Sequence, residues 1–233
     1  MRYFCSESNN SKLIVERFIE MCEANEQVFL AGPKGSEFSL LLKEYCASFE
    51  TDPSVIVTLQ VTMMEESTVE EVMEIVGKRQ RPSIMVVETR GNLDEISEKR
   101  LLRFLDNPSV TNLRYIIILE DFDPFDPDNP YSQAITERAK ESLFMVPPLK
   151  ERLADVSFFA AQILSGADES VPVSQPLKFA KDAIELMLSY PWPGNYEELA
   201  GAMRVLAMGG ARNGIISRAR LEETINLSRT KPI

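Results

Sequence analysis

The residues best supplied with ligand atoms are acidic. Asp121-Phe122-Asp123-Pro124-Phe125-Asp126-Pro127-Asp128-Asn129-Pro130 places aspartates close enough together for their side chains to hold a hard cation. It lacks an EF-hand's fixed ligand spacing and glycine, and prolines interrupt it, so a solvated surface loop is expected. Histidine is absent from the chain. That removes the commonest general base and excludes Ser-His and Cys-His nucleophile chemistry. Cys5, Cys22 and Cys46 are too few and scattered for a disulfide framework, and without histidine they offer no zinc-type cluster. No metal site is expected, and all three thiols should be reduced and structural. Lys78, Arg79 and Arg81 form a local basic spot, read as a solvated connection or as a docking point for an acidic partner.

The rest of the composition narrows the class. The 233 residues carry a formal net charge of -11, which argues against a broad phosphate-backbone footprint and against direct nucleic-acid binding by this chain. A hydrophobic share of 44% is that of an ordinary globular protein with a real core. The start MRYFCSESNNSKL has no apolar signal core, and no apolar run approaches the roughly 20 residues needed to span a bilayer. A soluble, cytoplasmic protein without membrane contact is expected.

The elements that position these residues are legible from periodicity. Leu13, Ile14, Phe18, Ile19 and Cys22 recur at helical spacing, and the apolar stretch Val28 to Ala31 follows as a strand. Gly32-Pro33-Lys34-Gly35-Ser36 ends that strand, and Phe38 to Phe49 reads as a helix. Val55 to Val61, Ser83 to Val87 and Leu113 to Leu119 read as strands; Val69 to Val76 and Leu101 to Leu105 read as helical. Alternating strands and helices imply an α/β fold with a mostly parallel sheet covered on both faces. After Phe144-Met145-Val146-Pro147-Pro148 the spacing is helical, in Leu153 to Leu164, Phe179 to Leu188, Leu199 to Met208 and Leu221 to Leu227. The predicted division is an α/β part over 1–150 and an all-helical part over 151–233, with the polar stretch Ser165 to Gln175 inside the latter.

Two segments point to a family. VPPLKERLADV at 146–156 resembles the PPLRER-D-I segment of sigma-54-dependent transcription activators, and YPWPGNYEELAGAM at 190–203 resembles their WPGNVREL segment, at that family's separation. KRLLRFLDN at 99–107 resembles the helix after their Walker B strand. With the glycine loop, the likeness covers roughly residues 8 to 228. The resemblance implies an AAA+ P-loop NTPase-like sheet with flanking helices followed by a small helical lid. In the family, ATP is hydrolysed at subunit interfaces of a ring, and a GAFTGA loop acts on sigma-54.

Set against that pattern, the chemistry is altered place by place. The family's GxxxxGK[ST] loop cradles phosphates with backbone N–H groups while its lysine neutralises them. Aligned on Gly32, this chain reads GPKGSEFS, so Glu37 replaces the second-to-last glycine and Phe38 the lysine. A carboxylate is thereby expected where phosphate oxygens belong. Like charges ~4 Å apart repel by ~1 kcal/mol in water and by ~4 kcal/mol at an effective dielectric of 20. Lys34 could substitute from inside the loop, but Pro33 removes an N–H donor beside it. Gly32, Lys34, Gly35, Ser36 and Glu88 are thus the remnant of the nucleotide site. The resemblance places Glu88 at the metal-organising position and Thr89 where the water-polarising acid belongs. It places Glu120 at the sensor I position, Glu197 at that of the sensor II arginine, and Ser132 and Arg138 at the two arginine-finger positions. Arg138 is therefore the candidate for a finger donated in trans; otherwise it is a surface charge paired with Glu141 or Glu137. Between the segments flanking Gly77-Lys78-Arg79-Gln80-Arg81-Pro82 there is no room for the GAFTGA hairpin.

Since phosphoryl transfer rests on positioning and electrostatics, the joint loss of these groups predicts no catalytic residues, no ATP or magnesium cofactor, and no enzyme activity. The expected function is a regulatory or scaffolding protein-interaction subunit. Its partners would be another AAA+ activator subunit or a second copy of itself. The alternative is the central oligomerisation or ligand-response domain of a DNA-binding regulator independent of sigma-54. A third reading is a residual ATP binder working through Lys34 and Glu88. Pro147, Pro148, Leu149, Trp192 and Pro193 are expected to form an apolar interface that compensates for the missing nucleotide.

Overall fold

In the computed structural model of the chain, residues 9–48, 56–63, 65–78, 83–89, 93–106, 113–126, 128, 131–165, 177–209 and 214–230 are described. The chain falls into two compact units, one of Ile14–Pro33 and Phe38–Val146, the other of Met1–Leu13, Lys34–Glu37 and Pro147–Ile233. The middle of the glycine loop thus groups with the C-terminal residues, not with the strand and helix that it connects.

The first unit is an α/β layer. Five parallel strands, β1 (Gln27–Gly32), β2 (Ile56–Gln60), β3 (Ser83–Thr89), β4 (Leu113–Glu120) and β5 (Leu143–Met145), lie in the order β2-β3-β4-β1-β5. Parallel strands buried on both faces read as continuous apolar runs, and the YIIIL of β4 is the clearest case. On one face Phe29, Ala31, Met85, Val87, Tyr115, Ile117 and Leu119 share a core with Leu101, Phe104 and Leu105 of helix α4 (Glu95–Asp106) and with Ile135 and Ala139 of α5 (Gln133–Lys140). Val69, Val72 and Met73 of α3 (Glu66–Gly77) pack on its margin. Elsewhere in the unit, Phe18 of helix α1 (Asn9–Ala24) meets Tyr45 of α2 (Phe38–Ala47) and Phe144 of β5, with ring centroids 6.0 and 5.1 Å apart. Arg114 closes the end of α1 by donating to the carbonyls of Cys22 and Asn25. Cys22 is buried, which pushes its thiol up to about 12, so it stays protonated and structural.

The second unit carries helices α6 (Leu153–Leu164), α7 (Lys181–Ser189), α8 (Asn195–Gly209) and α9 (Arg218–Thr230). Phe159, Ile163, Met187, Leu199, Met203, Leu206, Leu221 and Ile225 are buried at the spacing that brought these helices out of the sequence. It is not all helical. Phe179, expected to open a helix, belongs instead to β6 (Lys178–Phe179), which pairs in parallel with β7 (Ile215–Ile216), and α7 begins two residues later. No helix among the described residues is long and apolar enough to cross a membrane.

Candidate functional site

The glycine loop is seated by the Trp192-Pro193-Gly194-Asn195 segment. Gly35 has φ 78°, and a Cβ there would lie 2.3 Å from the Gly194 carbonyl oxygen, so both conformation and close approach require glycine. The Gly35 carbonyl accepts the Glu197 N–H at 3.0 Å, and the Lys34 carbonyl accepts from Asn195 Nδ2 at 2.9 Å. Asn195 also accepts the Leu149 N–H on Oδ1, at 3.0 Å, which ties the loop to the Pro147-Pro148-Leu149 segment. Asn195 and Trp192 adopt positive φ, 50° and 46°, an uncommon conformation for residues with a Cβ. Trp192 is fully buried, its Nε1 donates to the Met187 carbonyl, and Tyr190 packs edge-on against it. Glu198 holds the turn by accepting the Gly194 N–H and the Tyr190 hydroxyl.

Behind this loop lies a buried ionic network. Glu37 is turned into the same unit and ion-paired with Arg152, the two side chains 1% and 3% exposed. Arg152 also donates to Asp155 Oδ2 at 3.1 Å and to the Pro147 carbonyl at 3.1 Å, and Asp155 accepts the Ser11 hydroxyl. One guanidinium therefore faces two carboxylates in a region nearly closed to water. Burial pushes the Glu37 carboxyl up, Arg152 pulls it down less strongly, and Asp155 adds to the rise. Among the described residues Glu37 Oε2 has no hydrogen-bond partner. The Glu37 carboxylate, expected where phosphate oxygens belong, is directed inward onto Arg152.

At the strand ends of the first unit the replacement is neutral. Thr89, last residue of β3, donates its hydroxyl to the Ile118 carbonyl at 2.6 Å and lies 2.9 Å from the Tyr131 hydroxyl, which donates to the Glu120 carbonyl at 3.0 Å. Burial raises the Tyr131 phenol, so it remains a neutral hydrogen-bonding group. Glu88 is half-buried beside Thr89, and Glu120, half-buried too, pairs in register with Gly32. Ser132 caps α5 by accepting the Ile135 N–H, and its own N–H donates to Glu98. Arg138 pairs with Asp106 at 3.0 Å and donates to Gln27 Oε1 and the Leu105 carbonyl at 3.1 and 3.2 Å. The expected pairing with Glu137 or Glu141 is not the one formed. Glu137 pairs with Lys140, and Arg138 reaches across to α4 and β1.

Comparison with known proteins fits this architecture. Residues 150–232 match the family described as the AAA+ ATPase lid domain. The regulatory protein LuxO of Vibrio cholerae is 41% identical over 54 residues, 23% of this chain and 10% of that protein. The hydrogenase transcriptional regulatory protein HoxA of Cupriavidus necator is 42% identical over 55 residues, 23% of this chain and 11% of that protein. The structure of NtrX from Brucella abortus in complex with ATP superposes with a TM-score of 0.71 at 16% identity, covering 98% of this chain and 58% of that one. Residues 150–232 thus match an AAA+ lid, and the chain as a whole shares the fold of NtrX. The chain's matches span about a tenth of the curated relatives' length.

Phe38, which the resemblance aligns with the lysine of the phosphate loop, is buried at the start of α2, while the Lys34 side chain is exposed and Ser36 half-buried. Glu197 is exposed, and its backbone, not its carboxylate, meets the loop. Of the five residues expected to form an apolar interface, all belong to one unit; Leu149 and Trp192 are buried, Pro147 and Pro148 half-buried, and Pro193 is exposed, which corrects its place in that set. Asp123 and Asp126 each accept an N–H two residues on, as in a solvated turn, and among the described residues no three acidic or cysteine side chains gather as metal ligands. Lys78 is exposed and pairs with Glu74; Arg79 and Arg81 lie outside the described residues, as do Cys5 and most of 165–175. Sequence reading missed Arg152, Asp155 and Asn195 as a connected set. All three sit in the two segments that carry the resemblance.

Proposed function

We propose that this chain is a catalytically inactive AAA+ module that regulates or scaffolds other protein subunits. The observation that carries the reading is Glu37, a buried, ion-paired carboxylate in the loop that should receive phosphates, flanked by Phe38 in the lysine position. Two further features support it. Thr89 stands at the water-polarising position with its hydroxyl committed to Ile118, and Arg138 is held by three acceptors of its own chain. A finger donated in trans would first have to leave those acceptors. ATP, the nucleotide in the NtrX complex, is accordingly not a cofactor of this chain. Its partners are AAA+ subunits: an active activator, or further copies of itself.

Phosphate release, measured on the chain alone and mixed with an active sigma-54 activator module, tests the proposal. The expected result is no turnover alone and a changed activator rate in the mixture. Sustained turnover by the chain alone contradicts it. The second reading is the central domain of a DNA-binding regulator; LuxO and HoxA are regulatory proteins by name. A reading frame that continues into a helix-turn-helix would select that one.

A further inference from the structure

Arg152 has the chemistry of an anion receptor. Its guanidinium is almost fully enclosed, and a planar fork of N–H donors suits carboxylate and phosphate oxygens alike. Two anions share it, and they differ in kind. Asp155 lies three residues along the chain, at the start of α6, and is additionally held by Ser11. Glu37 arrives from 115 residues away, on the glycine loop, with one carboxylate oxygen unpartnered among the described residues. The loop's seat does not depend on that side chain. Asn195 Nδ2, the Glu197 N–H and the contact of Gly35 with Gly194 hold the backbone of residues 34 and 35 in place. Removing the Glu37 side chain therefore leaves a prepared enclosure with a guanidinium on its wall and the loop backbone around it.

We propose that Glu37 occupies Arg152 as a built-in anion, and that removing its carboxylate opens there a site for a phosphate-class anion, either free or as the diphosphate of a nucleotide. The inference rests on the inactive reading above and gives it a mechanism: the site is filled in cis rather than merely eroded. In the wild type the internal carboxylate is covalently tethered and always present, so a free anion competes with it at a large disadvantage in effective concentration.

Inorganic phosphate, pyrophosphate and MgADP are titrated separately into the wild type, Glu37→Gly, Glu37→Gln and the double variant E37G/R152M, by calorimetry and thermal shift. Glu37→Gly should bind at least one of the three at least about tenfold more tightly than the wild type. Glu37→Gln, which keeps the volume filled, should show no gain, and E37G/R152M should lose it. Preference for phosphate or pyrophosphate identifies a bare anion receptor, and preference for MgADP a nucleotide site; either supports the proposal. If Glu37→Gly unfolds, these anions should restore its transition. A Glu37→Gly chain that none of the three binds or stabilises overturns the inference, as does a gain that persists in E37G/R152M. Micromolar MgADP binding by the wild type overturns the inactive reading as well, so the two failures are distinguishable.

Discussion

The two regions that the resemblance assigns to a nucleotide site are built by opposite means. At the glycine loop the Glu37 carboxylate is buried and ion-paired with Arg152 inside the lid-containing unit. At the strand ends the uncharged Thr89 follows Glu88, and its hydroxyl bonds the Ile118 carbonyl and the Tyr131 hydroxyl, which in turn donates to the Glu120 carbonyl. The first solution leaves an excess of negative charge in a closed space, and each member depends on the others. The second costs little to desolvate and tolerates change. The difference is one of dependence: breaking a buried ion pair by removing one partner costs far more than removing one hydroxyl.

The sharpest way to break this contrast is Arg152→Met. It strands Glu37 and Asp155 without a cation and should cost about 3–5 kcal/mol, with a fall in Tm on the order of 10 °C in a chain of this size. Thr89→Val removes only a hydroxyl, and thermal or denaturant unfolding should register about 1–2 kcal/mol. A loss at Thr89 as large as that at Arg152 would erase the distinction between the two ends.

Glu37→Gln sharpens the comparison through pH. Burial raises the Glu37 carboxyl above its unfolded value, so the folded chain holds that proton more tightly. Stability from this group is fully present below the unfolded carboxyl range, about 4.3, and is lost as pH rises through the folded value. Glutamine does not titrate and can still accept from Arg152. The Tm of Glu37→Gln relative to wild type should therefore rise between pH 4 and pH 8. A wild type that gains on the variant over that range contradicts the assignment. The smallest effect belongs to Arg138→Ala. Its ion pair with Asp106 is partly exposed, so unfolding should move by about 0.5 kcal/mol, and the ATPase rate of an activator mixed with the chain should not change.

How much of this was legible depended on whether a residue's role is local or arises from distant parts of the chain. The sheet strands β1 to β4 and the lid helices follow from apolar periodicity because burial imposes it directly. Strand β5 has three residues and α5 buries only Ile135 and Ala139, too little repetition to register as a pattern. The β6–β7 pair joins residues 37 positions apart with two residues each, so Phe179 reads as part of the neighbouring helix. The altered positions Glu37, Phe38 and Thr89 could be located by motif alone. Their partners could not: that Glu37 meets Arg152, or that Arg138 meets Asp106 rather than Glu137, is decided by tertiary contacts over 115 and 32 residues. Pro193 illustrates the reverse, since its neighbour Trp192 is fully buried while Pro193 itself faces outward.

The central claim is that the wild-type chain holds no nucleotide, and calorimetric titration of MgATP and MgADP into it tests that most directly. The account predicts no saturable heat up to millimolar nucleotide. Saturable binding in the micromolar range would contradict it and return the chain to the nucleotide-switched AAA+ proteins.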